Sequence, residues 1–233
     1  MLILRSLIFN IVFSVVFICA MIIALPILFM DKEIVFIFWN RFSLVLSWIT
    51  KIFAGISVKV EGKFDRKGVI YAMRHESTWE TLTLIHFFDH PIFVMKKELF
   101  DIPIFGAMAR KSESISIDRE NGARSLAQAL RQVKECLSKG RTVIIFPEGT
   151  RMPTGVFQQL RRGISLFYSA ANCPVIPVIH NSGKFWPRRG FIKYPGKITI
   201  KVFPVIEPGL SHDDFMQKLN DTFQIEVEKL AKG

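Results

Sequence analysis

Cysteine is scarce in this chain of 233 residues. The three present, Cys19, Cys136 and Cys173, are odd in number and far apart. They make neither a disulfide framework nor a ligand cluster, and no His/Cys/Asp/Glu group has metal-ligand spacing, so no metal is expected. A reducing, cytoplasm-facing catalytic part is the better reading. Acidic residues are also few: 20 Asp and Glu against 31 Lys and Arg, a formal net charge of +11. Such an excess suits nucleic acid, anionic lipid or a phosphate-bearing substrate. Zinc-finger spacing, an RNA-binding signature and a basic helix with a dimer heptad are all missing, which sets nucleic acid aside. There is no internal repeat and no low-complexity linker.

Hydrophobicity is plentiful. Half of the residues are hydrophobic and mean hydropathy is +0.30. Much of the excess lies at the N-terminus, where Leu7 to Met30 is a run of 24 residues without a charge. As a helix it would span about 36 Å, against about 30 Å of bilayer hydrocarbon. It exceeds the roughly 7–15 apolar residues of a signal peptide, so a retained anchor, spanning or embedded, is expected. Residues 34–53 carry one polar stripe (Asn40, Ser43, Ser47, Lys51) on an otherwise apolar helix. That helix suits the membrane interface or pairing with the first. A second full span is disfavoured by Asn40 and Arg41 at its centre. Residues 1–56 hold few of the charges, so the basic excess belongs to residues 57–233.

From Ser57 the pattern changes to short strands alternating with helices, which predicts an α/β fold: a layered mixed β-sheet flanked by helices. Strands are expected at 58–60, 69–73, 92–95, 114–117, 142–146 and 175–179. The run 142–146 reads as buried on both faces, and 197–205, alternating basic and apolar, as an outer strand. Helices are expected at 123–139, 163–171 and from Ser211 onward, the last with Met216, Leu219, Phe223, Val227 and Leu230 inward.

The chemistry concentrates in two stretches. In Arg74-His75-Glu76-Ser77-Thr78-Trp79-Glu80-Thr81 a histidine leaves a strand end and a carboxylate follows five residues later. Five helical residues turn through about 500°, so the two meet only if His75 sits on the turn and Glu80 in the first helical turn. Imidazole can then take a proton from a hydroxyl while the carboxylate fixes its tautomer. Ser77-x-x-Glu80 is equally a capping box, and both readings can hold together. In Phe146-Pro147-Glu148-Gly149-Thr150-Arg151, proline ends a strand, glycine permits a tight turn, and Arg151 is presented where it can bind phosphate. A salt-bridged turn is the competing reading. His86 and His90 read as surface residues and His180 as a satisfied buried imidazole.

The order and spacing of His75–Glu80, Lys96-Lys97-Glu98-Leu99, Ile117-Asp118-Arg119, Phe146–Arg151 and Val175-Ile176-Pro177-Val178 resemble the PlsC-type glycerolipid acyltransferases over residues 57–208. Leu160-Arg161-Arg162-Gly163 and Asn181-Ser182-Gly183 add smaller matches. The usual acid of that family is aspartate. Glu80 departs from it and resembles a bacterial subtype reading His-x-Ser-x-Trp-Glu-Thr. The resemblance implies an N-terminal membrane anchor (1–56) on an acyltransferase domain (57–233), with catalytic His75 and Glu80. Lys97, Arg119 and Arg151 would hold phosphate, and Glu148, Gly149 and Thr150 would shape the acceptor pocket. It implies transfer of an acyl group from a coenzyme A or acyl carrier protein thioester to the sn-2 hydroxyl of lysophosphatidate. No cofactor would be needed, and the anionic inner membrane would be its place, with the catalytic part in the cytoplasm. Another lysophospholipid or lyso-aminolipid acceptor stays open, as does a membrane-tethered lipid-binding protein without turnover. The segment Lys184–Tyr194 suits a headgroup layer, an acidic carrier protein, the phosphates of coenzyme A, or solvent.

Overall fold

The computed structural model describes residues 1–118 and 122–232. Two N-terminal helices, α1 (Leu2–Ile27) and α2 (Lys32–Ile49), lead through a π-helical turn at Thr50–Ala54 into the α/β body. Gly55 closes that turn with φ +65°; a side chain there would run into the Arg5 guanidinium. The body follows as β1 (Ile56–Glu61), β2 (Ile70–Met73), α3 (Trp79–Thr83), β3 (Ile92–Lys96), α4 (Phe105–Lys111), β4 (Ile115–Ile117), α5 (Gly122–Ser138), β5 (Val143–Ile145), α6 (Gly163–Ala171), β6 (Val175–His180), α7 (Ser182–Phe185), β7 (Gly196–Val202) and α8 (His212–Lys232).

The seven strands form one sheet in the order β1-β7-β6-β2-β5-β3-β4. Its pairs are parallel except β6 with β7. Successive side chains of a strand point to opposite faces, and here both faces are covered. Tyr71, Met73, Ile144, Ile176 and Val178 pack toward α1, α2 and α3. Ile70, Ala72, Val143, Ile145 and Val175 pack toward α5, α6 and α8. The strands β2, β5 and β6 are therefore buried throughout, which is why they read as continuous apolar runs.

The expectation that residues 197–205 form an outer strand is corrected. β7 lies between β1 and β6, and β1 is the edge. Ile198 and Ile200 are fully buried on one face, while Lys201 reaches Glu226 of α8 at 2.8 Å on the other. Alternation reported two unlike faces, not a position at the rim. His86 is likewise no surface residue: it is half-buried, with Nδ1 3.0 Å from Ser43 Oγ of α2.

Both N-terminal helices are long and apolar enough to cross a membrane by length and composition. Yet α1 is fastened to the α/β body near both ends. At one end Arg5 Nε donates to Phe53 O (3.0 Å), Ser6 Oγ accepts from Lys193 N (3.0 Å) and Asn10 Nδ2 donates to Phe191 O (2.9 Å). Just past the other, Lys111 Nζ donates to Leu28 O at 2.7 Å. Between them Phe9 and Phe13 meet Trp186 edge-on. Lys193 is 4 % exposed beneath this contact, and burial brings its pKa down to about 8. Part of the segment 184–194 is thus a seat for α1. The outer faces of α1 and α2 carry exposed Leu7, Ile11, Ile18, Ile22, Val45 and Trp48. Of the polar stripe, Ser43 is fully buried and Asn40 is on a cavity wall, whereas Lys51, past the end of α2, is exposed.

Candidate active site

β2 ends at Met73, and Arg74 follows it, its N–H continuing the ladder to Val178 O at 2.8 Å. The next residue, His75, leaves the sheet, and α3 begins four residues on at Trp79. Glu80 then stands in the first turn of α3, and its Oε1 lies 2.8 Å from His75 Nδ1. The same oxygen accepts from Glu76 N (2.9 Å) and Ser77 N (2.8 Å), and Oε2 accepts from Ser182 Oγ (2.9 Å). Ser77 Oγ accepts from Trp79 N at 3.1 Å. One carboxylate thus closes the turn as a cap and holds the imidazole.

Glu80 is 1 % exposed. Burial opposes its charge, but the bond to His75, the nearby His180 and the N–H of Ser77 outweigh that and bring its pKa to about 2. An ionised acceptor at Nδ1 requires the proton on that nitrogen, which leaves Nε2 as the basic one. The His75 ring stacks on Phe146, centroids 4.2 Å apart, and lines a cavity of about 1300 Å³. Ligand pockets usually span about 300–1,000 Å³, so this one has room for an extended apolar group. Near His75 its wall includes Thr78, Phe146, Gly149, Thr150 and Arg151; the rest is mostly apolar, with Phe13, Phe17 and Met21 of α1 and Trp39 of α2, but also carries Asp89, Lys96 and Asp118.

Of the residues singled out in the sequence, His75, Glu80, Gly149, Thr150 and Arg151 come together. Gly149 takes φ +68°, the left-handed turn that glycine adopts without strain. Met152 N donates to His75 O at 2.8 Å and joins the two stretches directly. Arg151 is half-buried; burial lowers its pKa, the charge of Glu80 works against that, and the charge of Arg188 adds to it. Lys97 is exposed and paired with Asp118 at 3.1 Å; its neighbour Lys96 is the one on the cavity wall. Arg119 lies outside the described residues.

Glu148 is placed differently from the expected acceptor-pocket wall. Its carboxylate points into the protein and accepts from Arg74 Nη1 at 3.0 Å, with neither side chain exposed. Arg74 also donates to Glu76 Oε1 (3.2 Å), Pro153 O (2.9 Å) and Val156 O (2.7 Å). Glu76 Oε2 in turn accepts from Thr154 Oγ1 and Gly183 N, both at 2.9 Å. Burial raises the pKa of Glu148 to about 8, against the pull of Arg74. That direction is physically sound, because two buried carboxylates share one guanidinium and Glu148 Oε2 has no hydrogen-bond partner. This network went unread in the sequence. Its signal was an arginine directly after a buried apolar run, where an unpaired charge would be too costly. His180 is the satisfied buried imidazole expected, with Nε2 2.8 Å from Arg74 O.

The family model described as Acyltransferase matches residues 56–181, more than half of the chain. The chain belongs to the acyltransferase family. It is 39 % identical over 170 residues to the 1-acyl-sn-glycerol-3-phosphate acyltransferase of Pseudomonas aeruginosa, covering 72 % of this chain and 65 % of that protein. It is 26 % identical over 176 residues to the enzyme of the same name from Limnanthes douglasii, covering 72 % and 63 %. The chain thus spans somewhat less than two thirds of these relatives' lengths. The crystal structure of the 1-acyl-sn-glycerophosphate (LPA) acyltransferase, PlsC, from Thermotoga maritima shares the fold, with a TM-score of 0.78 at 22 % identity over 98 % of this chain and 95 % of that one.

Proposed function

We propose that this chain transfers an acyl group from an acyl thioester to the sn-2 hydroxyl of lysophosphatidate, giving phosphatidate. The observation that carries the reading is the 2.8 Å bond between His75 Nδ1 and Glu80 on the wall of a large, mostly apolar cavity. The names of the relatives support the acceptor. In the reaction, His75 Nε2 takes the proton of the lipid hydroxyl as its oxygen attacks the thioester carbonyl. The carbon–sulfur bond of the tetrahedral intermediate then breaks, and the imidazolium returns the proton to the departing sulfur. Glu80 holds the ring and stabilises its positive charge. Arg151 binds the phosphate, with Gly149 and Thr150 shaping the turn around it. A thioester is already activated, so no cofactor takes part.

The membrane is the source of the acceptor. A helix fastened to one α/β body at both ends is suited to lie in the interface, outer face in lipid, rather than to cross. The reading places the chain on the inner membrane with its basic α/β part in the cytoplasm, against anionic headgroups. Purified protein given lysophosphatidate and palmitoyl thioesters of coenzyme A or carrier protein should form phosphatidate, and faster than it acylates other lysophospholipids. A His75→Ala protein that turned over at the parent rate would remove the catalytic assignment. Lipid binding without transfer by the parent would instead favour a tethered binding protein.

A further inference from the structure

Two arginines that the proposed reaction does not use bracket the loop that carries Arg151. Arg161 donates from Nε to Glu148 O at 3.2 Å. Arg188 donates from Nη1 to Arg151 O, also at 3.2 Å. They come from different segments, one before α6 and one after α7, and both line the same cavity as His75 and Arg151. Both are exposed, whereas Arg151 is half-buried, so they stand toward the rim. Among the described residues, none of the three has a carboxylate within 4.0 Å.

A guanidinium has five N–H donors and stays protonated. Each rim arginine donates one N–H to a backbone carbonyl, which fixes the head and leaves the rest of its fork for another acceptor. Arg151 feels the attraction of Glu80 and the repulsion of Arg188, and a bound anion relieves that repulsion. The phosphate monoester of the acceptor brings about −1.5 to −2, less than the charge of the three arginines together. The second substrate carries a matching group. Thioesters of coenzyme A and of acyl carrier protein share a phosphopantetheine arm, with a phosphate at the end remote from sulfur.

We infer that Arg161 and Arg188 form a subsite for the phosphate of the donor's phosphopantetheine arm, separate from the acceptor phosphate on Arg151. The inference rests on reading the cavity as an acyl-transfer site. It is tested with R161Q, R188Q and the double variant, using palmitoyl-coenzyme A, palmitoyl carrier protein and palmitoyl-pantetheine, which lacks the phosphate. The double variant raises KM for both phosphate-bearing donors about tenfold or more, as loss of charged hydrogen bonds does. KM for lysophosphatidate stays put, and palmitoyl-pantetheine no longer distinguishes parent from variant. R161K with R188K recovers part of the loss and covers the case in which glutamine disturbs folding.

An equal loss with palmitoyl-pantetheine, or a rise in KM for lysophosphatidate alone, overturns the subsite. So does a loss confined to the carrier protein, which would assign the arginines to that protein's acidic surface. Weaker binding to phosphatidylglycerol vesicles at unchanged donor KM would assign them to the bilayer and overturns it too. Calorimetric titration of phosphopantetheine onto parent and double variant needs no turnover. It separates failure of the subsite from failure of the acyl-transfer reading: affinity falls in the variant if the subsite is real and is unchanged if it is not.

Discussion

On the sheet side of His75, Arg74, Glu76, Glu80 and Glu148 are each no more than 2 % exposed, and each is bonded to a partner. On the cavity side, Arg151, Arg161 and Arg188 line the substrate space, and among the described residues none of them is ion-paired to a carboxylate. Their nearest members, Glu148 and Arg151, sit three residues apart in the chain, yet the two sets follow opposite rules. Buried charges must be paired, because an uncompensated one costs several kcal/mol. That pairing spends their charge on geometry: it locks the turn after β2 to the loop after β5. The cavity-side charges keep theirs for a ligand, at the cost of mutual repulsion. A site for a charged lipid needs both, one set to fix distances and one to supply attraction.

The comparison is broken most severely at its centre. His75→Ala should lower kcat about 10²–10⁴-fold, the usual worth of a positioned base. Glu80→Gln should approach that loss in saturating-substrate assays, because a neutral amide no longer dictates the tautomer. A full rate in E80Q would reduce Glu80 to a helix cap. Next comes Arg74→Met, which strands the buried side chains of Glu76 and Glu148 and should cost about 3–5 kcal/mol in urea unfolding. Arg161→Gln, on the exposed side, should stay within about 0.5 kcal/mol in the same assay. Equal losses would erase the distinction.

Arg151→Gln should act on binding rather than turnover, raising KM for lysophosphatidate about tenfold to a hundredfold. A fall in kcat at constant KM would move Arg151 out of the headgroup role. The raised pKa of Glu148 sharpens the buried side further. Its folded value, about 8, lies above the ordinary carboxylate value of 4.5. Its contribution to stability is therefore complete below pH 4.5 and is lost as pH rises through about 8. Thermal midpoints of the parent should fall relative to E148Q between pH 4.5 and about 8 and level off above it; parallel curves would refute the shift. Ser182→Ala removes one bond to Glu80 and should be smallest, about 1 kcal/mol in unfolding. A loss as large as that of R74M would make the serine structural rather than supporting.

Much of this was legible from the sequence, and the rest was hidden for definite reasons. Helices α5, α6 and α8 and the strand β5 were readable because their apolar periods are regular, and Met216, Leu219, Phe223, Val227 and Leu230 are indeed inward. The His75–Glu80 pair was readable because the spacing admits a single local geometry. Glu148 was misread because strand-end spacing places a residue without saying which way its side chain turns. It turns to Arg74, 74 positions earlier. Lys97 and Lys96 could not be separated by composition, since adjacent lysines at a strand end face different ways. The position of β7 was hidden because alternation describes faces, whereas neighbours depend on long-range pairing.

The wall that α1 contributes has a practical result. Phe13, Phe17 and Met21 bound the same chamber as His75, so trimming the chain to its α/β body would gain solubility by tearing one side out of the reaction vessel. On the proposed reading, anchorage and turnover belong to a single piece of polypeptide. Detergent or lipid that coats the outer face of α1 should then be compatible with activity, and a fragment beginning near Gly55 should not.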